Sequence, residues 1–331
     1  IILAALRKIG EYDSADLPSN AEVNDAALSL NAIVKEWTLE GIGIFIRQRT
    51  VLFLSQDQQT YNLGGVPSED GTNFRWHKAC IDSDLRICEA AIDLFVGATV
   101  LTLDDGAWKY IDGATASKPS SSAKPIGIRL DDGTIYWSSV SATGTNTITI
   151  LNGIPGNASA GRRVYVFTNY TTRPIRLLAA YRTDTNFIDT QMEIISRTDY
   201  ERQTNKGSTG DPTQVAFAPQ MVQQAVTSVV TTLFSQVKVW PSVNSMTCDY
   251  INLITEHYAD DLDLATDNPQ FPAEWANALI WNLAAEMSFE YGLPAKDRQQ
   301  LLMMAGSKKS NLIDSADIEN ASVSLEPDYG R

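Results

Sequence analysis

Apolar residues near both ends of the chain recur with helical spacing. Ser19-Asn20-Ala21-Glu22 has the sequence of a capping box, and apolar residues then follow every three or four positions up to Trp37. A second row, spaced by four, runs from Trp275 to Met287. The pattern predicts helices over 1–10, 20–40 and 295–306, with a fourth beginning near Pro272. Five large side chains on these helices are expected to pack a helical core: Trp37, Trp275, Leu279, Trp281 and Leu283.

The middle of the chain alternates apolar and polar residues instead, which is typical of half-buried strands. Such segments occur at 50–54, 60–63, 175–181, 192–195, 214–217, 237–240 and 248–254. Helices at the ends and strands between them indicate an α+β protein. We therefore predict terminal helices that form a helical core with a β-rich middle.

Residues 66–172 differ in composition from the segments on either side of them, which indicates an insertion. They are rich in Gly, Ser, Thr and Asn, and they contain two Leu-Asp-Asp-Gly units, at 103–106 and 130–133. Asp-Gly favours tight hairpin turns, and strands are predicted at 134–137, 147–151 and 163–167. The predicted domains are a core of helices and strands over 1–65 and 173–310, an inserted small all-β module of sandwich or barrel type over 66–172, and an extended C-terminal tail over 311–331.

Charge and cysteine content narrow the possible functions. The chain has 26 basic and 40 acidic residues, for a formal net charge of -14. It lacks the basic surplus that tight binding of nucleic acid needs, whereas an acidic wall is compatible with DNA that slides past. Three cysteines without paired spacing and two histidines indicate neither a disulfide framework nor a zinc site, so we expect reduced thiols and intracellular assembly. No apolar run approaches the roughly 20 residues of a membrane span, so no membrane anchor is expected.

The sequence gives little support for catalytic or metal-binding residues. The acidic stretch Asp260-Asp261-Leu262-Asp263 does not match a calcium-binding EF-hand loop, and turn formation explains both Asp-Asp-Gly units. His77 and His257 lie in no nucleophile motif. We therefore predict no catalytic residue, no metal and no cofactor.

Two sets of residues are candidate contacts for partners. Trp76, Trp108 and Trp137 in the insertion form either a small β core or an exposed surface that anchors a partner or stacks on sugars. The tail mixes apolar and acidic residues and is too polar for a core of its own, so we expect it to become ordered on a partner or a neighbouring subunit. Its candidate interface residues are Leu312, Ile313, Ile318, Val323, Leu325, Tyr329 and Arg331.

Several short motifs occur in an order that resembles one family. They are Trp37-Thr38-Leu39-Glu40-Gly41, Arg173-Pro174-Ile175-Arg176, the segment from Glu193 to Tyr200, Gly210-Asp211-Pro212-Thr213, Phe271-Pro272-Ala273-Glu274-Trp275 and Tyr291-Gly292-Leu293-Pro294. The chain resembles the packaged-DNA stabilisation proteins, or tail accessory factors, which are the head-to-tail adaptors of short-tailed bacteriophages. The resemblance covers residues 1–65 and 173–306.

The resemblance implies a structural protein rather than an enzyme. Twelve identical copies would form a ring beneath the portal protein ring, retain the packaged DNA and line part of its conduit without binding it tightly. The tail residues would contact the portal, and distal tail nozzle or fibre proteins would be seated below. The protein would be assembled in the host cytoplasm and reside in the tail or neck of the virion. Two alternatives stay open: a tail-associated adhesin with the β module as its binding unit, and a cell-wall hydrolase.

Overall fold

The chain forms two compact units. One combines the N-terminal and C-terminal regions, and the other is formed by the middle of the chain. In a computed structural model, the described residues are 1–10, 12–13, 16–40, 46–64, 79–104, 108–119, 124–184, 186–223, 233–243, 248–258 and 275–319. The first unit combines Ile1–Ile46 with Tyr258–Arg331, and the second comprises Arg47–His257. We call them the helical unit and the β unit.

Within the described residues the helices are α1 (Ile2–Ile9), α2 (Asn20–Leu39), α3 (Arg197–Arg202), α4 (Trp275–Met287) and α5 (Ala295–Glu319). The predicted capping box is confirmed, because the Ser19 hydroxyl accepts a hydrogen bond from the Glu22 N–H and the Glu22 carboxylate accepts one from the Ser19 N–H. Gly10 adopts φ 89° and ends α1 as predicted. Helix α5 continues past its predicted end, so residues 311–319 are helical and not extended.

The strands of the β unit are β1 (Ile46–Phe53), β2 (Thr60–Leu63), β3 (Ala79–Ile81), β4 (Arg86–Glu89), β5 (Val100–Thr102), β6 (Pro125–Arg129), β7 (Ile135–Thr143), β8 (Thr147–Ile150), β9 (Arg163–Val166), β10 (Arg176–Thr183), β11 (Asp189–Ile195), β12 (Gln214–Gln223), β13 (Leu233–Trp240) and β14 (Tyr250–His257). A 3₁₀ turn, Asp82–Asp84, precedes β4. The ten predicted strands, seven from alternation and three in the insertion, are confirmed, whereas β3 to β6 and helix α3 were not predicted.

Eight strands form one sheet in the order β2-β13-β12-β11-β10-β14-β1-β3. The β11–β12 pair is parallel. A flat sheet would separate β1 from β2 by about 29 Å, since six inter-strand spacings lie between them. The seven-residue step from Phe53 to Thr60 spans at most about 25 Å when fully extended. The Tyr61 hydroxyl accepts a hydrogen bond from the Ser55 N–H and donates one to the Gln58 carbonyl, each at 3.0 Å, so the segment between β1 and β2 is bent and spans a shorter distance. The sheet therefore curls, and it encloses a core to which all eight strands contribute.

The other six strands form a second sheet in the order β4-β9-β6-β7-β8-β5, which lies wholly within 66–172. Its two edge strands approach each other just beyond their ends. Ala90 and Leu103 form a β-bridge, and the Ala91 N–H donates to the Thr102 carbonyl at 2.9 Å. This sheet is therefore nearly closed around its own core.

The prediction of an α+β fold with a helical core and a small β module is wrong. The structure is mostly β, with two large curled or nearly closed sheets of eight and six strands. The apolar faces of the middle strands are buried against one another, and the terminal helices pack into a core of their own. Periodicity shows which face of an element is buried but not which partner buries it.

Candidate interaction sites

The helical unit packs around two tryptophans. The rings of Trp37 on α2 and Trp275 on α4 lie 6.3 Å apart, and Leu279 and Leu283 are fully buried beside them. Trp281 lies in a neighbouring cluster, where the Lys8 ammonium group sits 4.4 Å from the centre of its ring. These five residues, which the sequence predicted as helix-packing residues, thus all lie where helices meet.

The candidate tail residues fall into two groups. Leu312 is buried and Ile313 is half-buried against the same helical core, and Ile318 lies on α5. Leu312 therefore packs within its own unit. Val323, Leu325, Tyr329 and Arg331 lie outside the described residues, as do Trp76, His77 and the acidic stretch at 260–263.

Helix α5 exposes large apolar side chains on its outer side. Leu302, Met303 and Met304 are 46%, 66% and 38% exposed, whereas Leu301 and Ala305 on the inner side are buried. Phe289, which follows α4, is also exposed and lies 4.8 Å from the Arg298 guanidinium. We call Leu302, Met303 and Met304 the α5 row.

Of the tryptophans in the insertion, two are described and neither forms an exposed platform. Trp108 is 2% exposed and packs inside the six-stranded sheet. Trp137 is half-buried and packs edge-on against Phe53 at 4.8 Å and Phe167 at 5.6 Å. A Cβ atom at Gly127 would lie only 2.8 Å from the Trp137 ring, so this close approach requires glycine there. Trp108 and Trp137 therefore serve as core residues, the other interpretation that the sequence left open.

An ion pair is buried where the two sheets of the β unit meet. Arg129 at the end of β6 pairs with Asp249, which precedes β14, and the two side chains are 5% and 4% exposed. The Tyr165 hydroxyl donates a hydrogen bond to the same carboxylate. Burial raises the pKa of Tyr165 to about 12 and lowers the pKa of Arg129, so the phenol is neutral at pH 7. The arrangement joins the two sheets through buried polar groups.

The turn between β10 and β11 adds a second contact between the sheets. Phe187 has φ 62°, an uncommon conformation for an aromatic residue. Its ring lies 5.0 Å from the Arg163 guanidinium and 5.6 Å from the Lys109 ammonium group. A Cβ atom added at Gly113 would lie 3.6 Å from this ring. No sequence motif marked these residues, because the contact joins two distant hairpins.

His257 lies in a network of hydroxyl groups. The Thr172 and Thr255 hydroxyls lie 2.9 and 2.8 Å from its two ring nitrogens, and Thr255 reaches Thr50 at 3.0 Å. His257 and Thr50 are buried. The imidazole is thus occupied by structural hydrogen bonds.

Neither protein-family models nor curated protein sequences match this chain. The family suggested by the ordered motifs therefore remains a resemblance. Across the part of the chain that the structure describes, no group of three or more His, Cys, Asp or Glu side chains is arranged to hold a metal ion. No helix in that part is both long and apolar enough to cross a membrane.

The six-stranded sheet carries an exposed apolar surface of its own. Its members come from the segment after β4, from β5 and from the residue after β8, and they are at least 49% exposed: Ile92, Phe95, Val96, Val100 and Leu151. The segment after β4 is held beside the one after β8, because the Gly97 N–H donates to the Ile154 carbonyl and the Leu94 N–H to the Ala158 carbonyl, both at 2.8 Å. Both units thus have exposed apolar side chains.

The three cysteines are free thiols inside the β unit. Burial raises the pKa of Cys88 and of Cys248 to about 11, and the pKa of Cys80 well above its ordinary value. Each is therefore a protonated, weakly reactive thiol at neutral pH.

Proposed function

We propose that the protein is a structural head-to-tail adaptor of a phage virion, which forms a ring beneath the portal and seats the distal tail or fibres. The observation that carries this proposal is that each of the two units exposes its own apolar surface. The α5 row belongs to the helical unit, and the surface that includes Phe95 and Val96 belongs to the β unit. A protein that joins two partners needs two such surfaces.

Helix α5 is the element best suited to the portal or to a neighbouring copy. It is 25 residues long, and its inner side is anchored on α4 through Leu301 and Ala305. Its outer side exposes methionines, whose flexible side chains adapt to a partner surface. A ring of identical copies requires a head-to-tail interface, in which this surface meets a different one on the next copy.

The charge of the chain suits the same role. A formal net charge of -14 disfavours binding to the phosphates of DNA that passes through the ring. The buried His257 network and the Arg129–Asp249 pair use their polar groups to join strands and sheets. In this proposal the β unit is a rigid support for the distal partner.

Light scattering on a sizing column tests the proposal, with the protein alone and mixed with its cognate portal ring. We expect the wild type to elute with the portal. The double variant Leu302→Gln, Met303→Gln keeps good helix-forming residues and should weaken assembly by about tenfold or more, as expected for central interface residues.

Leu28→Gln is the matched control. Leu28 is 68% exposed on α2, so this variant removes a similar side chain from another helix of the same unit and should assemble like the wild type. A wild-type protein that stays monomeric and does not bind the portal would refute the proposal. Equal loss in the control and the double variant would refute the assignment of the interface to α5.

A further inference from the structure

One cavity of the β unit is lined mainly by basic and polar groups. It has a volume of about 210 Å³ and lies between β4, the segment 117–119, the start of β6 and the end of β9. Its charged lining residues are Arg86, Lys118, Lys124 and Asp84, and the hydroxyls of Ser117 and Thr168 complete the polar lining. All of these side chains belong to the six-stranded sheet or to its connecting segments.

The carboxylate in this cavity has other partners. Asp84 accepts hydrogen bonds from the backbone and side-chain amides of Asn169. None of the three basic side chains forms an ion pair with any described carboxylate. In a protein with a net charge of -14, an excess of three cations over one carboxylate in a single concavity is unexpected.

Two of the cations are held in place by neutral groups. Arg86 donates from Nη1 to the Ser83 carbonyl at 2.8 Å, and its guanidinium lies 4.2 Å from the centre of the Tyr110 ring. The Lys118 ammonium group donates to the carbonyls of Gly144 and Thr145. These contacts position the charges without neutralising them, which reduces the entropy cost of binding an anion.

The third cation, the Lys124 ammonium group, is not held in place by any described hydrogen bond. The Lys124 ammonium group has no hydrogen-bond partner among the described residues, and its side chain is half-buried. The cavity lining carries three positive charges against one negative charge, and a concave site with an excess of one sign concentrates counter-ions more strongly than a flat surface does. Lys124 is therefore free to close on an anion that the other two cations attract.

We propose that this cavity binds a compact oxyanion group, either a phosphate or a carboxylate. Lysine and arginine form their strongest hydrogen bonds with such groups, and the two hydroxyls supply further donors. The volume is below the roughly 300–1,000 Å³ of pockets for drug-sized ligands, so a single anionic group fits better than an extended molecule. This proposal is independent of the adaptor function.

Isothermal titration calorimetry of the full-length protein with inorganic phosphate, and separately with acetate, tests the proposal at pH 7 and low ionic strength. We expect saturable binding that weakens as sodium chloride is added. Stronger binding of phosphate than of acetate would identify the site as one for phosphate groups, and the opposite order as one for carboxylates.

Lys124→Gln removes one cation without breaking a described hydrogen bond and should weaken binding about tenfold. The double variant Lys118→Gln, Lys124→Gln should abolish binding. Lys206→Gln is the control, because Lys206 is a similarly half-buried lysine of the β unit that pairs with Glu201 outside the cavity. Absence of binding to the wild type at tens of millimolar of either anion would overturn the proposal, and so would equal binding by Lys124→Gln and the wild type.

Discussion

Breaking the buried ion pair between the two sheets is the most direct test of how the β unit is held together. Arg129→Met would leave the Asp249 carboxylate buried with only the Tyr165 hydroxyl as a described side-chain partner. Removal of one member of a buried pair costs about 3–5 kcal/mol, because an uncompensated charge remains away from water. For a domain of 150–250 residues, this corresponds to a fall in melting temperature of roughly 6–20 °C.

The measurement is the thermal melting of Arg129→Met, Asp249→Asn and an apolar double variant, Arg129→Met with Asp249→Leu, followed by circular dichroism at the β-sheet signal. The double variant should recover much of the loss, because two apolar groups leave no buried charge. Arg162→Met is the matched control, since Arg162 pairs with Asp131 at 2.8 Å but both side chains are about one-third exposed. Arg162→Met should lower the free energy of unfolding by less than about 1 kcal/mol. Melting of Arg129→Met within about 2 °C of the wild type would refute a buried, energetically important pair.

Three further predictions concern the β unit. Gly64→Ala places a Cβ atom 2.4 Å from the Arg173 Cα atom at φ 87°, whereas the control Gly161→Ala has a similar φ and nothing within 4 Å. In chemical denaturation, Gly64→Ala should lower the free energy of unfolding by at least about 2 kcal/mol more than Gly161→Ala does. Equal losses of stability in the two variants would contradict the close approach. The three buried thiols should not react with a thiol reagent at pH 8 until the protein is denatured, and prompt labelling of the native protein would contradict their burial. The Lys206 and Lys238 side chains lower the pKa of Glu201 to about 2 by hydrogen bonding. The ionised Glu201 carboxylate therefore stabilises the fold fully above its ordinary pKa of 4.5, and this stabilisation is lost as the pH falls towards 2. An NMR titration should show this low value in the wild type and a higher one in Lys238→Met; a Glu201 pKa near 4.5 in both proteins would contradict the interaction.

Local structure followed from the sequence where neighbouring residues decide it. The capping box at Ser19 and Glu22, the left-handed Gly10 after α1 and the Asp-Gly turn before β7 depend on side chains within four positions of each other. Alternation located seven of the 14 described strands for the same reason. Short-range geometry needs no knowledge of the fold.

The candidate sites depend on contacts that no local pattern encodes. Tyr165 and Asp249 are 84 positions apart, and the cations of the proposed anion cavity come from β4 and from both sides of a loop. Trp108 and Trp137 could have been exposed or buried in equally plausible sheets. Only the pairing of the six strands around them decided that both are core residues.

The sequence by itself determined the terminal helical regions, most of the strands, the acidic charge and the absence of paired cysteine spacing. Only the tertiary structure decided that the strands divide into two sheets, that the eight-stranded sheet curls to bring β1 near β2, and that α5 buries Leu312 while it exposes Met303. The physical reason is that hydrogen bonding between strands is independent of side-chain identity. The choice among strand partners is made by the packing of side chains that are distant in sequence.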